Sequence, residues 1–228
     1  MAEARHFTLD RTQVTITSRD LDLSRPAGSV AVAALRSGPQ EITGGVRGLG
    51  ESIARAMHVR FDEQYSYQGG TLLTGEGPLP PNGRIRLFVW EGNRSSVATA
   101  LYNGASTADG IALLDQFALA EAITGEATVR PRVPDVAFEE PPVLAKEIPG
   151  IGLLEVVPLT AARVRALPNW PGTRVAGGEL FVEHPDKREM YFVLVSDSAI
   201  TYIMPAEQAL SDDRVLAELA VLKVDRDR

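Results

Sequence analysis

The chain has 228 residues, 44% of them apolar and 23% charged, with a formal net charge of −7. Such proportions belong to a folded protein able to bury a core without covalent staples, and the negative charge argues against broad attraction to nucleic acid or anionic membrane. Cysteine is absent, which excludes disulfides, thiolate metal sites and cysteine nucleophiles.

The opening MAEARHFTLD has no apolar h-region, and no apolar run approaches the ~20 residues that span a bilayer. The expectation is therefore a cytoplasmic protein without membrane contact. HFTLDRTQVTITS alternates around Val14 and Ile16 and predicts a strand. Gly28 to Ser37, GSVAVAALRS, predicts a second, bounded by Gly and Pro on both sides. After Gly50 a helix places Leu49, Ile53, Ala56 and Met57 on one stripe. In HVRFDEQYSYQ, Val59, Phe61, Tyr65 and Tyr67 share one parity, as in a strand interrupted at Glu63. TGEGPLPPNG reads as irregular, because Pro78, Pro80 and Pro81 remove donors and three glycines loosen the chain.

RIRLFVW and SVATALY flank EGNRS, a hairpin signature in which Gly92 and Asn93 are able to take positive φ. Ser106 or Thr107, with Asp109 nearby, caps a helix expected to run through GIALLDQFALAEAI as far as Ile123. Residues 129–150 carry five prolines and read as an extended linker or crossing arm. Beyond it IGLLEVVPL is a strand, and TAARVRAL a short helix capped by Thr160 and stopped by Pro168. GGELFVEH, EMYFVLVS and AITYIM form a meander. Ser211, Asp212 and Asp213 cap a last helix with Val215, Leu216, Leu219 and Leu222 inward. Gly83–Ile123 and Gly178–Leu222 share a loose layout of strand, turn, strand and capped apolar helix, without matching residues.

Thr43, Gly44, Gly48 and Gly50, followed by a helix-forming run, resemble the nucleotide-binding turn of the short-chain dehydrogenases. That resemblance implies a phosphate cradle fed by a buried strand. The residues before Thr43, SGPQE, instead read as an edge or loop, and no tyrosine is followed four residues later by lysine. Asn103 in YNGA is similar to the family's Asn-Ala-Gly segment, but the strands here run in hairpins rather than alternating with helices. The stretch is read as a turn before a helix, with no cofactor.

Other chemistry is sparse. Glu183, His184 and Asp186 crowd one loop, where a polar hairpin turn explains them as well as a metal or base site does. Glu139 and Glu140 point apart in an extended arm. No nucleophile elbow, Walker motif or EF-hand loop occurs, so no catalytic residue and no metal site is nominated. In RIRLFVW, Ile85, Leu87 and Val89 form one face, while Arg84, Arg86, Phe88 and Trp90 form the other. Joined by Tyr65 and Tyr67, that second face could stack bases or hold an anionic ligand. Trp170, between Pro168 and Pro171, and Phe192, on an apolar strand, are the candidate interface residues.

The fold expected is α+β, mainly antiparallel hairpins and a meander with about four helices, in two lobes: residues 1–128 and 151–228 on either side of the arm. The leading functional expectation is a non-catalytic binding or assembly protein whose partner is another protein chain, including a copy of itself as a homo-oligomer. The alternative is a binder of nucleotide or single-stranded nucleic acid through the Arg–aromatic face, and a second alternative is an enzyme of unrecognised type.

Overall fold

A computed structural model describes residues 1–183, 190–206 and 213–227. The expected caps Ser211 and Asp212, and the loop bearing His184 and Asp186, lie outside the described residues. Among the described residues antiparallel strands dominate, and there are four helices.

The chain opens with β1 (Ala2–Phe7) and β2 (Gln13–Ser18), so HFTLDRTQVTITS is divided between two strands. Then come β3 (Ala27–Leu35), β4 (Gly38–Val46), α1 (Leu49–Ala56), β5 (Arg60–Tyr67), β6 (Gly70–Leu79), β7 (Gly83–Glu91), β8 (Ser95–Tyr102), α2 (Thr107–Leu114), β9 (Phe117–Glu121), β10 (Ala127–Pro131) and β11 (Ala137–Phe138). The remainder is β12 (Val143–Ile148), β13 (Gly152–Pro158), α3 (Ala161–Arg165), β14 (Thr173–Val175), β15 (Gly178–Glu183), β16 (Tyr191–Val195), β17 (Ala199–Pro205), α4 (Asp213–Leu219) and β18 (Lys223–Arg226). Packing groups the residues differently from a simple division of the chain at residues 129–150. A mid-chain unit comprises Phe7–Arg11 and Gly28–Pro142, and a terminal unit comprises Met1–His6, Thr12–Ala27 and Val143–Arg228.

The mid-chain unit is built on an antiparallel sheet in the order β3-β4-β8-β7-β6-β5. Its alternation sends Ile85, Leu87 and Val89 to one face, where they meet Ala54 of α1 and Val59. Phe88 and Trp90 go to the other face and meet Leu113 and Leu114 of α2, with Phe117 and Leu119 of β9. The glycines set these distances. A Cβ on Gly110 of α2 would lie 2.0 Å from Phe88 Cζ, and one on Gly50 of α1 would lie 2.1 Å from Val89 Cγ1. Burial of a Phe of this kind is worth about 2–3 kcal/mol.

Several expectations are corrected here. Of SGPQE, expected at an edge or in a loop, the loop reading fails from Gly38 onward, where β4 begins. Pro39 and Glu41 pair with β3 but lie outside the β8 register, which starts at Thr43, so they stand at an edge. The irregular reading of TGEGPLPPNG fails at its start, since β6 continues to Leu79. Gly75 lets β5 approach: a Cβ there would lie 2.0 Å from Arg60 O. Pro78 pairs with Arg84 of β7 but lies beyond the β5 register, which stops at Glu76, so its missing N–H costs no ladder bond. The interruption in β5 falls at Asp62, between Phe61 and Glu63. Gly92 and Asn93 do not take positive φ; the turn is held instead by Glu121 Oε1, which accepts from Arg94 N at 2.6 Å and Ser95 N at 3.0 Å. On α1 the buried positions are Gly50 and Ala54, and Ala56 is exposed.

The helix expected to reach Ile123 stops at Leu114. Ser106 caps α2 through a capping box with Asp109, as the sequence predicts. FALAE then becomes β9, paired with β10. Phe117 and Leu119 alternate inward, and Gln68 fixes the switch by donating to Phe117 O at 3.0 Å and accepting from Leu119 N at 3.1 Å. A tertiary contact thus overrides the helix propensity of Ala and Leu.

In the terminal unit the antiparallel strand order is β14-β15-β16-β17-β13-β12, which includes the expected meander β15-β16-β17. Leu144, Leu154, Val156, Phe192, Leu194 and Ile203 share one face. They are covered by Val14 and Ile16 of β2, Val224 of β18, and Val215 and Leu219 of α4, within a single core. Leu216, expected inward, is 45% exposed. The opposite face buries a smaller cluster of Val157, Phe181, Val193 and Ile200 with Leu159 and Leu167 at its margin. Thr160 caps α3 by accepting from Arg163 N at 3.3 Å, as expected.

Both units follow one succession: strand, strand, helix, four strands, helix, strand. In each, the sixth of those strands inserts beside the second, giving β4-β8 and β13-β17. The repetition read from Gly83 and Gly178 is therefore offset by one strand. Gly83 begins β7, whose counterpart is β16, whereas Gly178 begins β15, the counterpart of β6.

Candidate functional site

β7 separates the expected Arg–aromatic set into two environments. Phe88 is fully buried and Trp90 is 3% exposed, both in the core under α2. Trp90 Nε1 donates to Tyr67 O at 3.0 Å. The aromatic half of the set is thus covered rather than open, because α2 lies on this face and not on that of Ile85 and Leu87. Arg84 and Arg86 are joined by Glu76: Arg86 Nη2 lies 2.5 Å from Glu76 Oε1, and Arg84 Nη1 lies 2.9 Å from Glu76 Oε2. Arg86 Nη1 also donates to Thr107 Oγ1 at 2.8 Å, and Thr107 Oγ1 donates to Glu63 Oε2 at 2.6 Å.

Tyr65 joins that network by donating to Glu63 Oε2 at 3.0 Å. The Arg86 bond holds the Glu76 carboxyl below the ordinary glutamate value, with Arg84 adding to it. The Thr107 hydroxyl, and then that of Tyr65, does the same for Glu63. Tyr67 turns elsewhere. Its hydroxyl donates to Asp115 Oδ1 at 2.7 Å, and burial followed by that bond pushes its pKa up to about 12. Of the expected group, Arg84, Arg86 and Tyr65 share one network, exposed at Arg84 and Tyr65 but largely buried at Arg86, while Phe88, Trp90 and Tyr67 anchor the fold.

The interface candidates also part. Phe192 is 1% exposed in the core of the terminal unit. It is not available as the interface residue expected, because its side of β16 is the face covered by β2, β18 and α4. Trp170 remains 48% exposed. In the same unit Leu153 and Met204 are cross-strand partners on the thinly covered face and stand 37% and 39% exposed.

The glycine stretch similar to a dehydrogenase turn divides between strand and helix. Thr43, Gly44 and Gly45 belong to β4, where Gly44 lets Leu9 approach: a Cβ there would lie 2.4 Å from Leu9 Cδ2. Gly48, at φ 89, is the N-cap of α1. That helix start is met from within by Ser96 and Glu91, the latter at the end of β7. Ser96 Oγ donates to Glu91 Oε1 at 2.9 Å and accepts from Gly50 N at 3.1 Å. Ser96, held by the buried Glu91 side chain, thus satisfies the Gly50 N–H of the first turn without any bound ligand.

On the far side of α1 the sheet face is open. Val32, Thr43, Ile53, Met57, Ala98 and Tyr102 line a groove of about 380 Å³, with Gln40 and Glu41 at its rim. Tyr102 is 52% exposed. Gln40 Nε2 fixes the floor by donating to Thr99 Oγ1 at 2.7 Å and to Ala100 O at 3.0 Å. The groove exists because α1 is short and packs mainly on β7 and β8, leaving the β3 side of this face open.

Sequence reasoning missed Glu91, Ser96 and Glu121 as organising groups, and it missed the groove. The signal available for α1 and α2 was a glycine inside each helix, Gly50 and Gly110, since such glycines mark close approach. Nothing local marks Glu91 as buried. Among the described residues no three His, Asp or Glu side chains converge on a metal-binding geometry, and no helix is long and apolar enough to cross a membrane. Comparison with protein-family models, curated proteins and solved structures found no match to this chain.

Proposed function

We propose that this chain is a non-catalytic binding protein whose partner is another protein chain, engaged at the groove beside α1. The observation that supports this reading is the groove itself: an open sheet face walled by Ile53, Met57 and Tyr102. Met and aromatic side chains adapt to apolar partners and are enriched at protein interfaces. The exposed Leu153, Met204 and Trp170 of the terminal unit add further apolar surface of the same kind. The hydrogen-bonded carboxylates of the mid-chain unit are committed to structure: Glu121 to the β7–β8 turn, Asp109 to the α2 cap, and Glu63 and Glu76 to the arginine network.

Self-association is the form tested first. Light scattering of the wild type at micromolar concentration is expected to report a dimer or larger, and Met57→Glu to give folded monomers with an unchanged circular dichroism spectrum. A wild type that stays monomeric at high concentration overturns self-association. Micromolar binding of a single-stranded oligonucleotide that falls steeply with salt and is lost in Arg84→Ala/Arg86→Ala would replace the protein-partner reading altogether.

A further inference from the structure

Glu91 is 9% exposed and points into the joint between the first turn of α1 and the β7–β8 hairpin. One carboxyl oxygen, Oε1, accepts from Ser96 Oγ. The other, Oε2, is buried without a hydrogen-bond donor, and its nearest cation is Arg47 Nε at 3.9 Å. Around it stand few charges. The loop before α1 contributes Arg47, which is largely exposed, and α1 contributes Glu51, a like charge. β8 places Ser95 and Ser96 beside it, and β6 places Thr71 opposite it in register. β9 sends Glu121 to the same hairpin, where its Oε1 is held by Arg94 N, Ser95 N and Ser95 Oγ. Among the described residues no cation lies within hydrogen-bonding distance of Oε2. An ionised carboxylate in such a place loses hydration that it regains when the joint opens.

We propose that Glu91 is a pH-sensitive latch for α1: its protonated form keeps the N-terminus of the helix closed on the hairpin, and ionisation favours local opening. The latch acts on α1 whatever fills the groove, although Ile53 and Met57, which wall the groove, are carried on the same segment. Burial raises the Glu91 carboxyl above the ordinary glutamate value, while the Ser96 hydroxyl, the Gly48 N–H and Arg47 oppose the rise and Glu51 adds to it. The sign follows from that direction. Below the ordinary value both closed and open forms are protonated, and opening is independent of pH. Between the ordinary and the raised value the open form ionises first, so opening increases with pH. Above the raised value both are ionised and opening levels off.

Amide hydrogen exchange at Gly50, Ser52 and Ala54, corrected for intrinsic base catalysis, reads the latch. In the wild type, protection should fall by up to about tenfold per pH unit across the window and then level off. Glu91→Gln, which keeps an acceptor for Ser96, should show flat protection over the same range. A Glu91→Gln protein with the wild-type pH dependence overturns the latch. Should that variant not fold, the wild type decides the matter through the carbon chemical shift of the Glu91 carboxyl. Its midpoint must coincide with the loss of α1 protection, and a titration that leaves those amides unmoved overturns the proposal.

Discussion

The mid-chain and terminal units have the same strand order but differ in what covers the sheets. In the mid-chain unit the first helix, α1, has eight residues, buries Gly50 and Ala54, and begins on an internal carboxylate. Its counterpart α3 has five residues, buries none of them, and relies on Thr160. Gly50 explains much of the difference, since only a residue without Cβ lets a helix settle at that distance from Val89. On the opposite faces, α2 with the β9–β10 hairpin covers Phe88, while α4 with β2 and β18 covers Phe192. A shared strand order therefore does not impose a shared cover. Small residues and buried partners decide how closely each helix approaches and how much sheet stays open.

The comparison can be broken most strongly at its two equivalent phenylalanines. Phe88→Ala and Phe192→Ala should each cost about 3–5 kcal/mol, as large core truncations do. Hydrogen exchange should show each loss in its own unit first. If either substitution lowers protection equally throughout the chain, the two cores act as a single cooperative block.

Acid should separate the units by a smaller effect. In the mid-chain unit the Arg86 bond depresses the carboxyl of Glu76, the Thr107 bond that of Glu63, and the Ser106 bond that of Asp109. Burial pushes Glu121 up, but the bonds from Arg94 N, Ser95 Oγ and Ser95 N together leave it lowered. In the terminal unit only Asp22 among the described residues is depressed, by its bonds from Ser24. A depressed carboxyl contributes stability above its unfolded value and loses it as pH falls through the folded value. Below the ordinary glutamate value of 4.5 the mid-chain unit should therefore lose exchange protection before the terminal unit. The reverse order would show that the arginine network contributes little.

The smallest effect expected is at the caps. Ser106→Ala removes a reciprocal capping box and should destabilise the mid-chain unit by about 1 kcal/mol. Thr160→Ala, at a helix with no buried residue, should fray α3 while leaving the unfolding midpoint of the terminal unit almost unchanged. Denaturant titration of both variants checks the contrast, and equal losses would mean that α3 is held more firmly than its packing indicates.

Local pattern made a good part of this protein legible. Alternation in RIRLFVW assigned the side chains from Arg84 to Trp90 to their faces, Ser106 and Thr160 announced their helices, and the meander was evident from its apolar runs. Those features depend on neighbours a few residues apart, which is where sequence carries its information. Strand pairing settled what local pattern misread: β6 through Pro78, and β9 through FALAE. In each case a partner strand, or a glycine that admitted one, outweighed propensity. The site lay further out of reach. Whether Arg84 and Arg86 sit beside aromatic faces or beside Glu76 depends on where α2 lands, and whether Gly48 greets a ligand or Glu91 depends on a residue more than forty positions away. Sequence by itself set the alternation, the caps and the turns, because those are local balances of sterics and hydrogen bonds. Tertiary structure alone decided which face each helix covers, which carboxylate is buried and where the groove lies open, because burial is a property of the neighbours that folding brings together.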